Sequence, residues 1–358
     1  MTTLVLAALV LSATPEVVST KDDPRECRLL LDAKGQPVLA WTHGPEVITR
    51  ELTVATRGKG GKGWDERVVG TCGVRCSTSL NLDAKGVLRA SFSSTCDGTA
   101  PTNKCMRVAE LLPKKLGMLT TPVTLNGGTS SAILVAKDGT VHLGYAAHDD
   151  KAFLYGTFVK GVWTPGPTPP AQGFEFDSRF HMAFDKKGTP TALFDDKSRH
   201  LSWVHWQGGK VESEPVTFEG VGRDSSYVLG ADDVPHAVFT LNEKEVAHAT
   251  RGASGWRVET VAKVASGVAV DATLAIGKDG SLHVAWYEPA AGTLRYATRA
   301  AADTEWKVKT LDGKNTHQAG LQPSIAVDAK GATHFCYQAL AEKAVKYLVV
   351  EPATPAKK

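Results

Sequence analysis

Hydrophobic and polar residues alternate along most of this chain in short runs separated by polar turns. Between Ser281 and Arg299, one alternating run (SLHVAWY) is followed by a polar break (EPAAG) and then by a second run (TLRYATR). Alternation with a period of two puts successive side chains on opposite faces, so each run predicts a β-strand. The same arrangement returns at residues 332–350 and, more faintly, five more times, so the chain is built from repeats.

Each repeat contains one tight turn, whose fullest form is Asp-x-x-Gly. In such a turn the aspartate side chain bonds backbone amides ahead of it, and glycine tolerates the left-handed conformation. Measured from the first residue of each turn, successive repeats are 45 to 53 residues apart. The seven first residues are Asp32, Asp83, Ala136, Asp185, Gly230, Gly277 and Asp328. This period, with four strands in a unit, predicts an all-β fold, a seven-bladed β-propeller of four-stranded blades.

The last repeat lacks a fourth strand, because a Pro-rich, charged segment (EPATPAKK, 351–358) follows its third strand. Residues 15–23 (PEVVSTKDD), near the other end of the chain, match the pattern of a fourth strand such as WRVETVAKV at 256–264. We expect this N-terminal strand to complete the last blade and close the ring, which leaves no exposed sheet edge there. The sequence therefore predicts a single propeller domain over 14–350 and a disordered tail over 351–358.

Residues 1–13 have the pattern of an export signal. An apolar core from Leu4 to Leu11 precedes small residues, with cleavage expected after Ser12 or Ala13. The apolar run is too short to span a bilayer as a helix. These features predict a secreted or periplasmic protein without a membrane span; the alternative is a buried N-terminal segment.

The chain has six cysteines, an even number that permits disulfides in an exported protein. Cys96 and Cys105 lie at the base of a longer polar loop, on strands expected to be adjacent, and predict a disulfide across the hairpin. Cys72 and Cys76 flank the passage into the second repeat and are expected to pair, although Cys27 is an alternative partner for either.

Cys336 stands apart from the other five cysteines, near the end of the chain. It aligns with Ala40 and Ala285 in other repeats, which are both small. We therefore expect Cys336 to be a buried free thiol.

Charge and motifs narrow the classes of function. With 41 basic and 38 acidic residues the net charge of +3 is too balanced to predict nucleic-acid binding. The segment RGKGGKGW at 57–64 resembles a phosphate-binding loop but lacks the Lys-Ser/Thr pair, and no other cofactor motif occurs. We expect neither a cofactor nor a bound metal.

One histidine recurs at the same position in four repeats: His142, His236, His283 and His334. Metal ligands must lie about 2 Å from a common ion, and residues that occur once in each of four blades cannot do so. These histidines are therefore expected to make local structural hydrogen bonds.

The candidate site comes from the residues six positions before each turn. They are Glu26, Ser77, Ser130, Arg179, Asp224, Asp271 and Gln322. All seven are polar, and three charged residues, Arg25, Asp177 and Arg223, lie beside them in the sequence. We expect all of these residues where the innermost strands begin, around the mouth of the central channel. Convergent polar groups in a concave mouth predict a binding site. The alternative is a solvated rim without a ligand, which would also be polar. The predicted binding residues are Glu26, Arg179, Arg223, Asp224, Asp271 and Gln322.

The repeat motifs, such as DAKGATHFCY and KDGSLHVAWY, resemble those of secreted bacterial seven-bladed propellers with sialidase-like or BNR-like repeats. The resemblance implies the propeller fold. The sialidase Asp-box, Ser-x-Asp-x-Gly-x-Thr-Trp, is absent, which argues against sialidase activity.

Three functions follow from these features. The leading one is an exported, non-enzymatic propeller that binds a glycan or a protein partner through the channel-mouth face. A second is a glycan hydrolase or lyase in which Asp224 and Asp271, from adjacent blades, supply carboxylates about 5–10 Å apart, while Arg179 or Arg223 holds an acidic sugar. A third is a structural scaffold in an envelope assembly.

Overall fold

The computed structural model describes most of the chain. The described residues are 14–44, 50–72, 78–95, 104–112, 115–120, 127–147, 152–169, 180–195, 200–216, 222–242, 244–264, 269–313 and 318–352. The predicted signal, residues 1–13, and most of the predicted tail lie outside them. No helix of the described residues is long and apolar enough to cross a membrane.

The strands form seven antiparallel four-stranded sheets, which confirms the predicted seven-bladed propeller. Strands are given from the innermost to the outermost. Blade 1 contains β2 (Arg25–Leu31), β3 (Pro37–His43), β4 (Arg50–Arg57) and β5 (Trp64–Cys72), and blade 2 contains β6 (Ser79–Leu82), β7 (Leu88–Thr95), β8 (Lys104–Leu112) and β9 (Lys115–Thr120). Blade 3 contains β10 (Gly127–Val135), β11 (Val141–Ala147), β12 (Ala152–Val159) and β13 (Val162–Pro165), and blade 4 contains β14 (Phe180–Phe184), β15 (Pro190–Asp195), β16 (Leu201–Gln207) and β17 (Lys210–Pro215). Blade 5 contains β18 (Gly222–Leu229), β19 (Pro235–Leu241), β20 (Glu245–Gly252) and β21 (Gly255–Lys263). Blade 6 contains β22 (Val270–Ile276), β23 (Leu282–Glu288), β24 (Thr293–Arg299) and β25 (Lys307–Asp312). Blade 7 contains β26 (Ala319–Val327), β27 (Thr333–Ala339), β28 (Ala344–Val350) and β1 (Glu16–Ser19). A short 3-10 turn, Lys59–Gly61, precedes β5.

The N-terminal strand closes the ring as predicted. β1 pairs antiparallel with β28 on the outer edge of blade 7, with Glu16 opposite Tyr347. Blade 7 therefore contains both ends of the propeller, and its outer edge strand comes from residues more than 300 positions away in the sequence. This pairing turns a linear array of repeats into a closed ring.

A disulfide between Cys27 and Cys336 also joins the two ends of the ring. It links the innermost strand of blade 1 to the second strand of blade 7, with the two Cα atoms 5.9 Å apart. The prediction of a free thiol at Cys336 is therefore wrong, as is the pairing of Cys27 with Cys72 or Cys76. Aligning Cys336 with Ala40 and Ala285 indicated a tight, buried position, but it could not show which side chain of the adjacent blade faces it.

Two other cysteines, Cys72 and Cys105, are also disulfide-bonded. Cys76 and Cys96 lie outside the described residues. The predicted Cys96–Cys105 and Cys72–Cys76 pairs therefore remain predictions.

The core is encoded once per repeat. An aromatic residue lies nine positions after each turn, on the second strand of every blade, and is at most 1% exposed. These residues are Trp41, Phe92, Tyr145, Phe194, Phe239, Trp286 and Tyr337. They pack in clusters that combine neighbouring blades, such as Trp41 with Cys336 and Tyr347. A lone blade would leave such an aromatic exposed, which is why the unit must recur around a ring.

The tight turns have the predicted chemistry. Oδ1 of Asp32 accepts hydrogen bonds of 2.8 Å from the amides of Lys34 and Gln36. Gly35 has a φ of 74°, in the left-handed region that glycine adopts without strain. Because each innermost strand ends at such a turn, its beginning lies at the opposite end of the channel.

A Glu–Arg–Trp cluster joins three of the blade junctions. At the junction of blades 7 and 1, Arg57 donates two hydrogen bonds to the carboxylate of Glu16, at 2.9 and 2.7 Å. The indole of Trp64 donates to the same carboxylate at 2.9 Å, and the Arg57 guanidinium lies 4.0 Å from the Trp64 ring centroid. The hydrogen bonds from Arg57 lower the pKa of Glu16. Glu214, Arg251 and Trp256 form the same cluster between blades 4 and 5. Between blades 5 and 6, Arg299 pairs with Glu259 and lies over the ring of Trp306. There the Trp306 indole has no hydrogen-bond partner among the described residues, and His248 bonds Glu259.

Candidate functional site

The central channel contains a cavity of about 380 Å³ to which the innermost strands of all seven blades contribute. Its wall is rich in hydroxyl and amide side chains, and it also contains Arg28, His181 and Asp271. A concave volume of this size is typical of a site for a small ligand or for one unit of a larger ligand.

The first group of site residues is the mouth layer, which we define as Glu26, Ser130, Asp271 and Gln322. Asp271 and Gln322 line the cavity. The amide of Gln322 donates to Oδ2 of Asp271 at 3.1 Å, and the amide of Glu26 donates to Oε1 of Gln322, also at 3.1 Å. Equivalent residues of blades 6, 7 and 1 are thus joined in sequence around the channel.

The backbone explains why these amides need side-chain partners. Glu26, Asp271 and Gln322 have φ values of 57°, 57° and 49°, a left-handed conformation that is uncommon for residues other than glycine. Each lies where the register between the first two strands of its blade shifts. The shift leaves amides outside the sheet ladder. For Gln322 and Glu26, the side chain of the preceding blade accepts the hydrogen bond of the amide.

Ser130 plays a similar part between blades 3 and 4. It is 4% exposed, and its Oγ accepts a hydrogen bond of 2.9 Å from the amide of Phe180. The mouth layer is therefore partly structural, a role that fits neither a simple solvated rim nor a purely ligand-binding ring.

The structure describes only part of the predicted site. Arg179 and Ser77 lie outside the described residues, as does Asp177. Arg223 and Asp224 belong to β18, with Arg223 paired to Thr240, but their side chains are not among those described. The predicted carboxylate pair of Asp224 and Asp271 therefore remains a prediction. Arg25 forms an ion pair with Asp23 at 2.5 Å.

A second group of polar residues, not among those predicted from the sequence, lies four positions before the turns. We define the serine layer as Arg28, Ser79, His181, Ser226, Thr273 and Ser324, all of which line the cavity. Three of its hydroxyls accept an amide hydrogen bond from the next blade: Ser79 from Ile133 at 3.3 Å, Ser226 from Leu274 at 3.3 Å and Ser324 from Leu29 at 3.0 Å. The recurrence of serine at this position in three repeats is the feature of the sequence from which this layer could have been predicted.

The four repeated histidines make local hydrogen bonds, as predicted. In three blades, Nδ1 bonds a tyrosine hydroxyl on the third strand: His142 with Tyr155 at 2.7 Å, His283 with Tyr296 at 2.6 Å and His334 with Tyr347 at 2.5 Å. In blade 5, His236 instead contacts His248 at 3.0 Å. Burial lowers the pKa of all four, and lowers those of His236 and His283 to about 4.

Comparison with known proteins gives structural relatives only. No protein-family model matches the chain, and no curated protein matches it by sequence. An ulvan lyase of polysaccharide lyase family PL25, bound to -[GlcA(1-4)Rha3S]-, is 11% identical, with a TM-score of 0.68, and the match covers 94% of this chain and 96% of the lyase.

Two further relatives act on or bind other glycans. The SapL1 lectin in complex with alpha methyl fucoside is 12% identical, with a TM-score of 0.54 and coverage of 82% of this chain and 98% of the lectin. The NanB sialidase from Streptococcus pneumoniae is 12% identical, with a TM-score of 0.52 and coverage of 94% of this chain and 70% of the sialidase. At this level of identity, the comparisons show that the chain is a seven-bladed β-propeller with sialidases and lyases among its structural neighbours.

Proposed function

We propose that this chain is an exported propeller that binds a glycan at the mouth of its central channel and does not cleave it. The observation that carries the proposal is the mouth layer: equivalent residues of blades 6, 7 and 1 are joined by amide-to-side-chain hydrogen bonds, and Asp271 and Gln322 line a cavity of about 380 Å³. Such a wall offers both donors and acceptors, which hydroxyl-rich ligands require.

The structural relatives favour a glycan over a protein partner. A polysaccharide lyase, a lectin in complex with a fucoside and a sialidase share the fold, and all three names refer to carbohydrates. A shared fold does not by itself show a shared function. The relatives therefore support the argument from the cavity but do not replace it.

Binding without catalysis is favoured by the position of Asp271. Its Oδ2 accepts the amide of Gln322, so this carboxylate supports the backbone of the next blade. A nucleophile or general base needs its oxygen directed at the substrate. The lyase relative supports the second candidate, in which Asp224 and Asp271 act on an acidic glycan.

Export is supported by the disulfides. Cys27 and Cys336 are joined, and Cys72 and Cys105 are also oxidised. Structural disulfides persist in oxidising compartments and are rare in the cytosol.

A glycan array followed by product analysis tests the proposal. The chain is expected to bind at least one class of polysaccharide reversibly, and prolonged incubation is expected to release neither reducing ends nor unsaturated products. Turnover of the bound polysaccharide would favour the hydrolase or lyase, and absence of binding to any glycan would contradict the proposal.

A further inference from the structure

The serine layer offers hydrogen-bond donors to the channel. A hydroxyl has one proton and two lone pairs. Ser79, Ser226 and Ser324 each use a lone pair to accept an amide from the next blade, so the proton of each hydroxyl is left to donate elsewhere. Because all three residues line the cavity, a ligand there meets O–H groups contributed by blades 2, 5 and 7.

Arg28 brings a permanent positive charge into the same layer. It takes the serine position in blade 1, and its side chain is fixed by hydrogen bonds from Nε to the carbonyl of Thr78 at 3.1 Å and from Nη1 to the carbonyl of Cys27 at 3.4 Å. A guanidinium stays charged at any physiological pH, and its charge acts more strongly away from bulk water. His181 lies in the layer on blade 4, and Asp271 is the acidic residue of the described lining, two positions nearer the mouth.

We propose that the serine layer is an anion subsite that holds the carboxylate of a uronic acid unit entering the channel. Donors and a guanidinium match a carboxylate, whose oxygens only accept hydrogen bonds, better than they match a neutral sugar ring. This inference rests on the proposed glycan binding and specifies the ligand as an acidic glycan.

The first test uses small ligands and the full chain. Calorimetric titration is expected to show D-glucuronate binding at least tenfold more tightly than D-glucose. Arg28→Met should lose that preference, while Arg67→Met, which removes an arginine bonded to the carbonyl of Leu112 far out on the blades, should keep it. Equal affinity for the two sugars, or an Arg28→Met protein that still prefers glucuronate, would overturn the subsite.

A crystal structure of the wild-type protein with D-glucuronate serves if Arg28→Met does not fold. A carboxylate within hydrogen-bond distance of the serine-layer hydroxyls supports the subsite, and a carboxylate bound elsewhere overturns it. Sulfate added as a competitor separates a general oxyanion site from one for carboxylates: displacement of glucuronate by sulfate at equal concentration would overturn the assignment to uronic acids.

Polysaccharide binding is measured separately, so that the two proposals can fail separately. If neutral and acidic polymers bind equally, the subsite is wrong and the glycan-binding proposal stands. If no polymer binds but glucuronate occupies the serine layer, the subsite stands and the glycan-binding proposal fails.

Discussion

The backbone amide of Gln322 donates a hydrogen bond of 3.1 Å to Oδ2 of Asp271, across the junction between the sixth and seventh blades. Both residues have positive φ angles, 49° and 57°. The side chain of Asp271, which is predicted to bind a ligand, therefore also holds the backbone of Gln322 in the next blade. The geometry of the channel mouth depends on contacts between equivalent residues.

Replacing Asp271 separates these two roles. Asp271→Ala removes the acceptor for the Gln322 amide and is expected to lower the free energy of unfolding by about 1–3 kcal/mol. Asp271→Asn keeps an oxygen acceptor and tolerates positive φ better than alanine, so its loss should be smaller. Urea unfolding of the three proteins measures the difference, and an alanine variant as stable as wild type would contradict a structural role.

Removing the ring-closing disulfide should be costly. The Cys27→Ala/Cys336→Ala double variant is expected to lose about 2–5 kcal/mol of stability, because the bond closes a loop spanning 309 positions in the sequence. Denaturant unfolding checks this value, and the double variant avoids leaving a free thiol. A non-reducing peptide map of the wild-type chain that lacks a Cys27–Cys336 peptide would refute the assignment.

The Glu16–Arg57 ion pair is expected to stabilise closure of the ring, through its two hydrogen bonds as well as through its charges. Both charges are partly exposed, so the coupling energy is expected to be about 1 kcal/mol and to weaken at high salt. A double-mutant cycle with Glu16→Gln and Arg57→Met measures it. Glu16→Gln alone isolates the loss of the charge, because glutamine can still accept the hydrogen bond from Trp64. A coupling of zero in low salt would show that the cluster is incidental.

Acid should destabilise the fold through its buried histidines. Burial lowers the pKa of His236 and His283 to about 4, against about 6.5 in an unfolded chain. Below pH 6.5 the unfolded state binds protons that the folded state does not, so stability falls as the pH drops towards 4. Each histidine is expected to remove about 2–3 kcal/mol by pH 4.5.

Urea unfolding at pH 7.5 and 4.5 measures this loss. His283→Gln should reduce the difference between the two pH values, because glutamine does not titrate. An equal pH dependence in the variant and the wild type would mean that His283 does not contribute.

The fold could be predicted from the sequence because one repeat encodes it seven times. The turn positions and the missing last strand follow from local pattern, and so does the pairing of β1 with β28. A single repeat does not show that Arg57 reaches back to a glutamate of the blade before it.

The contacts between blades were the part that sequence could not supply. Cys336 aligns with alanines, and only the facing residue of the next blade, Cys27, decides its chemistry. In the same way, the serines of the channel wall look like ordinary strand residues until their partners on the following blade are known. Of the predicted site, Asp271 and Gln322 do line the cavity.

The most direct test of glycan binding at the channel mouth compares variants at the two ends of the channel. The affinity for the polysaccharide identified on the array is measured by calorimetry for wild type, for Arg179→Ala and Asp224→Ala at the predicted mouth, and for Lys34→Ala and Lys330→Ala in the exposed turns at the opposite end. We expect the Arg179 variant, and to a lesser degree the Asp224 variant, to weaken binding by about 1–3 kcal/mol. The melting temperature is expected to stay unchanged in the Arg179 variant, and the two lysine variants are expected to bind like wild type. Loss of binding in the lysine variants, with the mouth variants unaffected, would contradict the account.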